Sequence, residues 1–362
     1  MLRAVFLTLA LALAGWSAAQ HDHHADAAEP AGTTHHEAQE FDAGQLILGH
    51  IVDEHGWHVA GDFSIPLPVI IYDTQRGLSV FSSNRFEHGH AAYNGYMLHD
   101  GKIVAVDAGG QVDEAASAHI WDFSITKNVF TVLLATILVI LVFTSVAKTY
   151  ARRQGMAPAG LQSLLEPVIL FVRDDIAKGA IGPKKYERFM PLLLTTFFVI
   201  LFMNLMGLIP FFPGGANATG NIAVTFTLSL IVLLVVTFNG NKHYWRHIFA
   251  MPGVPPWVLI ILTPVEIMGM FLKPFVLMIR LFANITAGHI IVMSFFSLIF
   301  VFGATSPVAG YGVSVVSLLF TIFMFFLELL VAFIQAYVFT FLTALYIGGA
   351  VEESHEHKES LV

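Results

Sequence analysis

The sequence predicts an all-α membrane protein with about five membrane helices, including a long tilted C-terminal helix hairpin, preceded by a small β-rich N-terminal region. Two observations predict this fold class. Of the 362 residues, 56% are hydrophobic and only 12% are charged, whereas about one quarter of a soluble domain is charged. The charges are also segregated: no Asp, Glu, Lys or Arg occurs between Arg188 and Lys242, and only four occur in residues 247–351. Such stretches need lipid as their solvent.

The residues that the chain lacks exclude several classes of function. It has no cysteine, so disulfides and thiolate metal sites are impossible. No basic stripe indicates nucleic-acid binding. A Gly-rich phosphate loop, a nucleophile constellation and a sustained pattern of helical His pairs for haem are also missing. The sequence therefore predicts no cofactor, no metal site and no catalysis by the chain itself.

The first 40 residues divide into two segments. Residues 1–19 predict a signal peptide, because Arg3 precedes a short apolar core and Ser17-Ala18-Ala19 forms a small-residue cleavage site. A first membrane anchor is the alternative, but the apolar run is short for one. Residues 20–40 are rich in His and acids. Clustered histidines can bind Zn or Cu, but a solvated, disordered segment is favoured because nothing fixes a ligand geometry. Cleavage would leave the N-terminus in the periplasm.

Residues 41–120 predict a small β-rich periplasmic extension. Asp100-Gly101 lies between alternating apolar runs, which is a signal for a two-residue hairpin. IPLPVIIYD and LSVFSS are further strand candidates, with Pro66 and Pro68 at a strand edge or entry. This region is therefore expected to fold outside the membrane.

The membrane channel domain is predicted at residues 121–350. Its first spanning helix covers 128–147, twenty uncharged positions between Lys127 and Lys148. The loop that follows carries eight of the chain's 18 basic residues, so the positive-inside rule places it in the cytoplasm. This orientation agrees with an exported N-terminus. Apolar residues at helical spacing over 161–178 predict an interfacial helix within the loop.

Residues 189–211 and 222–238 predict the next two crossings. The turn FFPGGANATGN between them contains helix breakers and no positive charge, which indicates an exported loop. Lys242 and Arg246 then mark a return to the cytoplasmic side.

Two apolar segments in the last third, residues 255–302 and 312–349, are too long for perpendicular crossings and are joined by GATSPVAGYG. A helix of 48 residues would be about 72 Å long, against a hydrocarbon core of about 30 Å. Either each segment breaks into two crossings, or each forms a tilted helix. A break needs a polar connector, and the only candidate in the first segment, 269–274, holds one charge. The tilted hairpin is therefore favoured, with bends near two of its prolines, Pro264 and Pro274. The tail, 351–362, is placed in the cytoplasm.

Ionisable groups inside a membrane segment indicate function by default. The hairpin contains five, Glu266, Lys273, Arg280, His289 and Glu328. The first three are seven residues apart, so a helix carries them on one stripe, which Asn284 continues, while His289 lies on the opposite face. Gln335 follows Glu328 by seven residues and shares its face.

Most of these residues also have a purely structural interpretation. Lys273 can snorkel to the interface, Glu266 can be its salt-bridge partner, and Asn284 and Gln335 can join helices. Arg280 is harder to explain in this way, because arginine does not deprotonate in proteins. Its anionic partner is either an acid of this hairpin or, as we favour, an acid of another subunit.

His289 and Glu328 are the predicted proton carriers. Histidine titrates near neutral pH, and a carboxyl group also exchanges protons with water. Arg280 does neither. The hairpin therefore combines two relay groups with one fixed positive charge.

Four stretches carry a resemblance to a known family. LKPFVLMIRLFANITAGHIIV and FLELLVAFIQAYVFTFLTALYIGGA resemble the paired signatures of subunit a of F-type ATP synthases. ERFMPLLLTTFFVILFMNLMGLIP, which contains Asn204, and FVRDDIAKGAIG resemble an earlier helix and a cytoplasmic segment of that family. The resemblance covers about residues 120–350, and the extension before it lies outside the match.

The resemblance implies a stator subunit of an F-type ATP synthase, a non-catalytic proton-translocating component in the bacterial inner membrane. Its implied partners are the c-ring subunits, the peripheral-stalk b subunits and the lipid bilayer. Arg280 would face the essential carboxylate of the rotating c-ring, between two proton half-channels. The other matches to polar channel positions are Glu328, His289, Gln335, Asn284 and Glu266.

One departure from the family concerns His289 and Glu328. Many bacterial members carry an acid at the first position and a histidine at the second, so the two residue types are exchanged here. The exchange predicts that these side chains meet in space, and it leaves their order in the proton path open.

Two interpretations from other classes remain. A structural membrane anchor of a larger complex predicts that Arg280→Ala leaves function intact once the complex assembles. A quinone-linked redox membrane subunit predicts a bound chromophore in the purified protein.

Overall fold

A computed structural model of the chain describes residues 53–60, 63–99, 101–107, 109–209, 212–251 and 253–352. The predicted signal peptide, the His-rich segment and most of the C-terminal tail lie outside the described residues. The chain divides into two compact units. The first contains the part up to residue 131 together with 207–218 and 286–328, and the second contains 132–206, 219–285 and the part from 329 onward.

The described residues before the first long helix form a small β-module. Its strands are β1 Gly56–Ala60, β2 Phe63–Pro66, β3 Pro68–Asp73, β4 Gly77–Ser82, β5 Tyr96–His99, β6 Lys102–Ala105 and β7 Ile120–Asp122. β1 pairs with β2, β5 pairs with β6, and the remaining three form an antiparallel sheet in the order β4-β3-β7. The predicted β-rich extension is therefore confirmed.

The local predictions within the β-module are also confirmed. His99 pairs with Lys102, so the hairpin loop has two residues, and Gly101 adopts the left-handed φ of 75° that glycine accepts without strain. Pro66 ends β2 and Pro68 begins β3. Proline lacks an N–H group for the interior of a ladder, and for this reason it occurs at strand ends.

The core of the β-module lies against one face of the three-stranded sheet. Val69 and Ile71 of β3 are fully buried and pack with Phe86, which lies in the 3-10 helix Ser83–Gly89, and with Tyr96. The Tyr96 hydroxyl donates a hydrogen bond to Asp73 over 3.0 Å. Burial disfavours the charged form of Asp73, but hydrogen bonds from Gln75 and Tyr96 outweigh it and hold the pKa of this carboxyl below its usual value.

Five helices are long and apolar enough to cross a membrane, which confirms the predicted fold class. They are α2 Lys127–Arg152, α5 Tyr186–Leu208, α6 Ile222–Asn239, α8 Pro256–Thr305 and α9 Pro307–Val351. The shorter helices are α1 Glu114–Ser117, α3 Leu161–Phe171, α4 Gly179–Ile181 and α7 Lys242–Phe249. A π-helical segment, Val172–Lys178, joins α3 to α4. The segment predicted as an interfacial helix is thus helical, and its place at the interface stays a prediction.

The two long C-terminal segments are continuous helices, as the unbroken-hairpin prediction requires. α8 has 50 residues and contains both Pro264 and Pro274, and α9 has 45 residues. At 1.5 Å per residue, α8 measures about 75 Å. Since this is more than twice the thickness of a hydrocarbon core of about 30 Å, α8 cannot stand perpendicular to a membrane. The bends near the prolines stay a prediction.

The predicted length of the connector, GATSPVAGYG, is wrong, because only Ser306 separates the two helices. Ser306 caps α9, and its hydroxyl accepts a hydrogen bond from the Ala309 N–H over 3.1 Å. The proline that follows begins α9, where its missing N–H is not needed. A Cβ on Gly310 would lie 2.8 Å from the Cα of Gly303. Gly310 therefore permits a tighter turn than its character as a helix breaker suggests.

The C-terminal end of α9 is anchored by close contacts within the second unit. Lys185 donates to the Val351 carbonyl over 2.8 Å, and the Asn241 N–H donates to the Ala350 carbonyl over 2.9 Å. These bonds satisfy carbonyl groups that a helix end leaves without partners. Gly348 lies against the backbone of α4, where a Cβ would overlap the carbonyl oxygen of Ala180.

We expect Gly348→Ala to destabilise this packing, since the methyl group meets backbone that cannot rotate away. Overpacking of this kind costs about 1–3 kcal/mol. The measurement is the thermal unfolding midpoint of the detergent-solubilised complex. Gly349→Ala is the matched control, because a Cβ at Gly349 has no atom within 4 Å. Equal midpoints for the two variants would contradict the expectation.

Candidate functional site

The predicted site residues fall into one group in each compact unit. The second unit holds Arg280, Gln335, Asn284 and Glu266, and the first unit holds His289 and Glu328. The long helices α8 and α9 each contribute to both groups.

Side-chain amides hold α9 against α8 and α5 at the level of Arg280. Gln335, which is 3% exposed, donates from Nε2 to the backbone carbonyl of Arg280 over 2.8 Å. One turn earlier on α9, the Ala332 carbonyl accepts a hydrogen bond from Asn204 of α5 over 3.2 Å. The Thr219 hydroxyl in turn donates to the Asn204 side chain over 2.7 Å. Buried amides with satisfied partners fix the position of backbone more firmly than apolar contact alone.

The Arg280 side chain is exposed, although the leucines three positions before it and one position after it on α8 are buried. Leu277 and Leu281 are each 1% exposed, whereas Arg280 itself is exposed and neighbours Val276 and Ile279 at 43% and 39% exposure. In its own unit, no described carboxylate lies within ion-pair distance of Arg280. The chain therefore presents a permanent cation on an apolar surface.

Small residues allow α9 to pack closely where it carries Gln335. The face of α9 beyond Gln335 is buried and consists mainly of small side chains, namely Ala336, Thr340, Thr343 and Ala344. The opposite face exposes large apolar side chains, including Leu330 and Ile334. A small-residue face lets helix backbones approach closely in a membrane.

A cavity of about 280 Å³ lies within the second unit. Its ionisable lining comes from α7, α8 and the C-terminal part of α9, and comprises His243, Tyr244, His247, Glu266, Lys273, Tyr346 and Glu352. This volume holds several water molecules. The cavity therefore brings together Glu266 and Lys273, which the sequence placed on one stripe, with polar groups of two other helices.

Tyr346 and Lys273 contact each other in the lining of the cavity. The ammonium of Lys273 lies 5.8 Å from the centroid of the Tyr346 ring, within the range of a cation–π contact. Burial and the negative charge of Glu266 together raise the pKa of Tyr244 on α7. Within this unit, Lys273 and Glu266 form no ion pair among the described residues, so a structural salt bridge does not explain them.

The group in the first unit is built around a glycine. A Cβ on Gly288 would lie only 2.5 Å from Glu328 Oε1, so the carboxyl group of α9 packs directly on the backbone of α8 beside His289. Glu328 Oε1 is buried and has no hydrogen-bond partner among the described residues. Glu328 therefore lies against the residue that precedes His289, and a contact between the Glu328 and His289 side chains stays a prediction.

His289 also lies at the end of α5. Its Nε2 atom is 3.7 Å from the place that a Cβ on Gly207 would take, and the carbonyl oxygen of Ala216 is 3.4 Å from the same place. Gly207, His289 and the loop after α5 therefore meet at one point. A larger residue than glycine would fill the space between them.

Several residues of these groups were missed by reasoning from the sequence. Gly288 and Gly207 act through an absent side chain, which charge and periodicity do not reveal. Tyr346 and His243 join the site only because other helices approach α8. The sequence offered one sign of the role of Gly288, namely its position directly before a membrane-embedded histidine.

Comparisons with known proteins identify two regions of the chain. The family model described as ATP synthase A chain matches residues 129–348. A second family model, described as a domain of unknown function (DUF8433), matches residues 46–123, which include the described β-module.

Curated relatives match at high identity. ATP synthase subunit a of Chloroherpeton thalassium is 43% identical over 252 residues, which cover 66% of this chain and 72% of the relative. ATP synthase subunit a 2 of Chlorobaculum tepidum is 45% identical over 244 residues, 66% of each chain. ATP synthase subunit a of Myxococcus xanthus is 41% identical over 244 residues, 66% of this chain and 76% of the relative.

Proposed function

The chain belongs to the ATP synthase A chain family, and on that premise we propose that it provides two proton half-channels to and from the rotating c-ring. In this proposal Arg280 is the fixed cation that faces the ring carboxylate. The chain is a stator subunit of an F-type ATP synthase and a multi-pass bacterial membrane protein. It would translocate protons without catalysing a reaction itself.

The observation that carries the proposal is the exposed Arg280 on an apolar surface. Arginine keeps its charge, and a charged group facing lipid is costly. Its own unit supplies no described carboxylate at ion-pair distance. A partner subunit with an acidic side chain would remove this cost, and a c-ring presents such an acid at each step. Gln335 supports the role by fixing the backbone of Arg280.

Electrostatics determine where the ring carboxylate is protonated and where it is ionised. A ring carboxylate that faces lipid must be protonated, because a bare charge there is expensive. Beside Arg280 the same group ionises, since an opposite charge favours its charged form. The fixed cation therefore keeps the site between the two half-channels deprotonated and blocks a direct leak. Each proton that crosses contributes about 2.3 kcal/mol per 100 mV of membrane potential.

We assign the half-channel on the exported side to His289 and Glu328. Both can take up and release protons, and Gly288 brings the carboxyl group beside the histidine. The half-channel to the cytoplasm is assigned to the cavity that Glu266 lines, which belongs to the same compact unit as Arg280. Asn284, exposed one turn after Arg280, would contribute a further polar group toward the ring.

The proposed topology places the N-terminus in the periplasm and the C-terminus in the cytoplasm of the inner membrane. An odd number of crossings puts the two ends on opposite sides, and five helices qualify among the described residues. The basic residues between α2 and α5 favour the cytoplasm for that loop. The proposed partners are the c-ring and the peripheral-stalk b subunits.

The direct test is ATP-driven acidification of inverted membrane vesicles that carry Arg280→Gln. Loss of acidification with an assembled complex is the expected result. Normal acidification would contradict the proposal and favour a structural anchor.

Gly288→Ala should slow proton flux by displacing the Glu328 carboxyl group. The methyl group would overlap Glu328 Oε1, which lies at the flexible end of its side chain, so the fold can adjust while the carboxyl moves. We expect a loss of passive proton conduction after removal of the catalytic headpiece, up to about a hundredfold for a displacement of about 1 Å. Gly303→Ala on the same helix is the matched control, because a Cβ there has no atom within 4 Å. Equal conduction by both variants would argue against a role for this packing.

A further inference from the structure

The β-module is joined to the membrane part by polar contacts at the start of α2. The Asp53 carboxylate accepts hydrogen bonds from the Thr126 hydroxyl over 2.7 Å and from the Asn128 N–H over 3.1 Å. The Lys127 N–H donates to the Glu54 carbonyl, and the Lys127 ammonium lies 3.5 Å from the Glu54 carboxylate. An acid that accepts from the first N–H groups of a helix acts as its cap. The module is therefore fixed to the beginning of a membrane helix.

An aromatic cluster extends this attachment to the loop after α5. The buried Trp57 of β1 makes edge contacts with Phe130 of α2 and with Phe212 of the loop, at centroid distances of 5.6 and 5.4 Å. Phe130 and Phe212 lie 5.8 Å apart. Trp57 and Leu67 also bury Ala216, which belongs to the same loop. Aromatic contacts of this geometry add to the free energy of burial itself.

The same loop reaches the polar group of the exported half-channel. The Ala216 carbonyl oxygen and His289 Nε2 both lie near Gly207, at 3.4 and 3.7 Å from the place that a Cβ on this glycine would take. Two steps thus lead from the β-module to the histidine. Trp57 packs against Ala216, and the Ala216 carbonyl lies near Gly207, which His289 Nε2 also approaches. All of these residues belong to one compact unit.

From these contacts we propose that the β-module forms the outer wall of the exported proton entrance, and that Trp57 is a positioning residue that holds the 212–217 loop beside His289. The inference rests on the proposed function and assigns a role to the region that matches only a domain of unknown function. Trp57 does not touch the proton path itself. In this proposal Trp57 fixes the position of the loop near His289. It thereby controls the access of protons to His289 from one side of the membrane.

The test is ATP synthesis in inverted vesicles that contain the whole complex, driven by an imposed pH difference and membrane potential. The lumen of these vesicles is the exported side, so luminal and external pH can be varied separately. For Trp57→Ala we expect the maximal rate to fall by roughly threefold to tenfold, as for a misplaced positioning group. The dependence on luminal pH should change, and the dependence on external pH should stay as in the wild type.

Two further substitutions separate positioning from folding. Trp57→Phe keeps an aromatic ring in the cluster and should restore most of the rate. Trp121→Ala is the matched control, since this tryptophan belongs to the same module, is 45% exposed and lies outside the cluster. It should leave both pH profiles unchanged.

A second variant acts from the opposite side of the contact. Phe212→Leu changes the loop and leaves the module intact, and it should reproduce the one-sided change in the luminal profile. Wild-type profiles for both Trp57→Ala and Phe212→Leu would overturn the inference. So would an equal change in the luminal and external profiles, or failure of both variants to assemble while Trp57→Phe is normal, because each result indicates a general structural role.

Failure of this inference can be told apart from failure of the proposed function. If Arg280→Gln abolishes synthesis in parallel vesicles while Trp57→Ala behaves as the wild type, only the role of the module is wrong. If Arg280→Gln leaves synthesis intact, the half-channel assignment itself fails.

Discussion

Replacing Arg280 with glutamine is expected to abolish ATP-driven proton pumping while the complex remains assembled. The substitution removes the positive charge that, in the proposed function, stabilises an ionised ring carboxylate at the point of exchange. An opposite charge at about 4 Å contributes about 4 kcal/mol at an effective dielectric constant of 20. A loss of this size corresponds to roughly a thousandfold decrease in rate, so residual pumping should fall below detection.

The packing around Arg280 indicates why assembly should survive. Gln335 bonds to the Arg280 backbone carbonyl and not to its side chain. Leu277 and Leu281, which flank Arg280 on α8, supply the buried contacts. Removing an exposed guanidinium therefore leaves these contacts in place. Membrane-bound ATP hydrolysis and the amount of c-ring that copurifies with the chain are the measures of assembly.

A matched control and a conservative variant sharpen this test. Arg152→Gln removes another exposed arginine, at the end of α2, and should pump normally. Arg280→Lys keeps a cation that deprotonates more readily when it is buried, and should pump poorly. Normal pumping by assembled Arg280→Gln would remove the basis for the half-channel assignment.

Glu328→Gln is expected to slow proton transfer in both directions by about a hundredfold, the lower end of what a single acid–base group contributes. The amide has the same shape as the carboxyl group and still fits against Gly288. It cannot exchange the proton, so His289 and water have to carry the flux alone. The loss should be smaller than for Arg280→Gln, because a relay group can be partly replaced and a fixed charge cannot.

The measurement for Glu328 is passive proton conduction as a function of pH on the exported side. In the variant, conduction should be lower than in the wild type across the pH range, because only His289 and water remain to carry the proton. Glu328→Asp serves as the control, since it keeps a titrating carboxyl and should retain more conduction than the amide. Identical conduction by Glu328→Gln and the wild type at every pH would contradict the assignment.

Much of the fold follows from the sequence because lipid and the backbone impose local rules. A helix in hydrocarbon must satisfy its own polar backbone and carry few charges, so a spanning segment appears as a long, mostly apolar run. The predicted crossings at 128–147, 189–211 and 222–238 agree with α2, α5 and α6 for this reason. The hairpin at Asp100-Gly101 is equally local, since two-residue loops depend on residues that accept a positive φ.

Local rules were least reliable between the two long helices. Gly303, Ser306 and Gly310 read as a flexible connector, yet two of the three are helical. Gly310 allows α9 to approach α8 closely, and this use of glycine depends on a partner helix that the local sequence does not reveal. The same limitation concealed Gly288, Gly207 and Gly348.

By itself, the sequence determined the membrane class, the spanning helices and the candidate ionisable groups, because burial of charge in lipid is costly wherever it occurs in the chain. The tertiary structure decided which groups meet. It brought Gln335 to the Arg280 backbone, the Glu328 carboxyl group to Gly288, and Trp57 to the loop beside His289. These contacts join residues from 40 to more than 150 positions apart, and helix packing, rather than any local pattern, determines them.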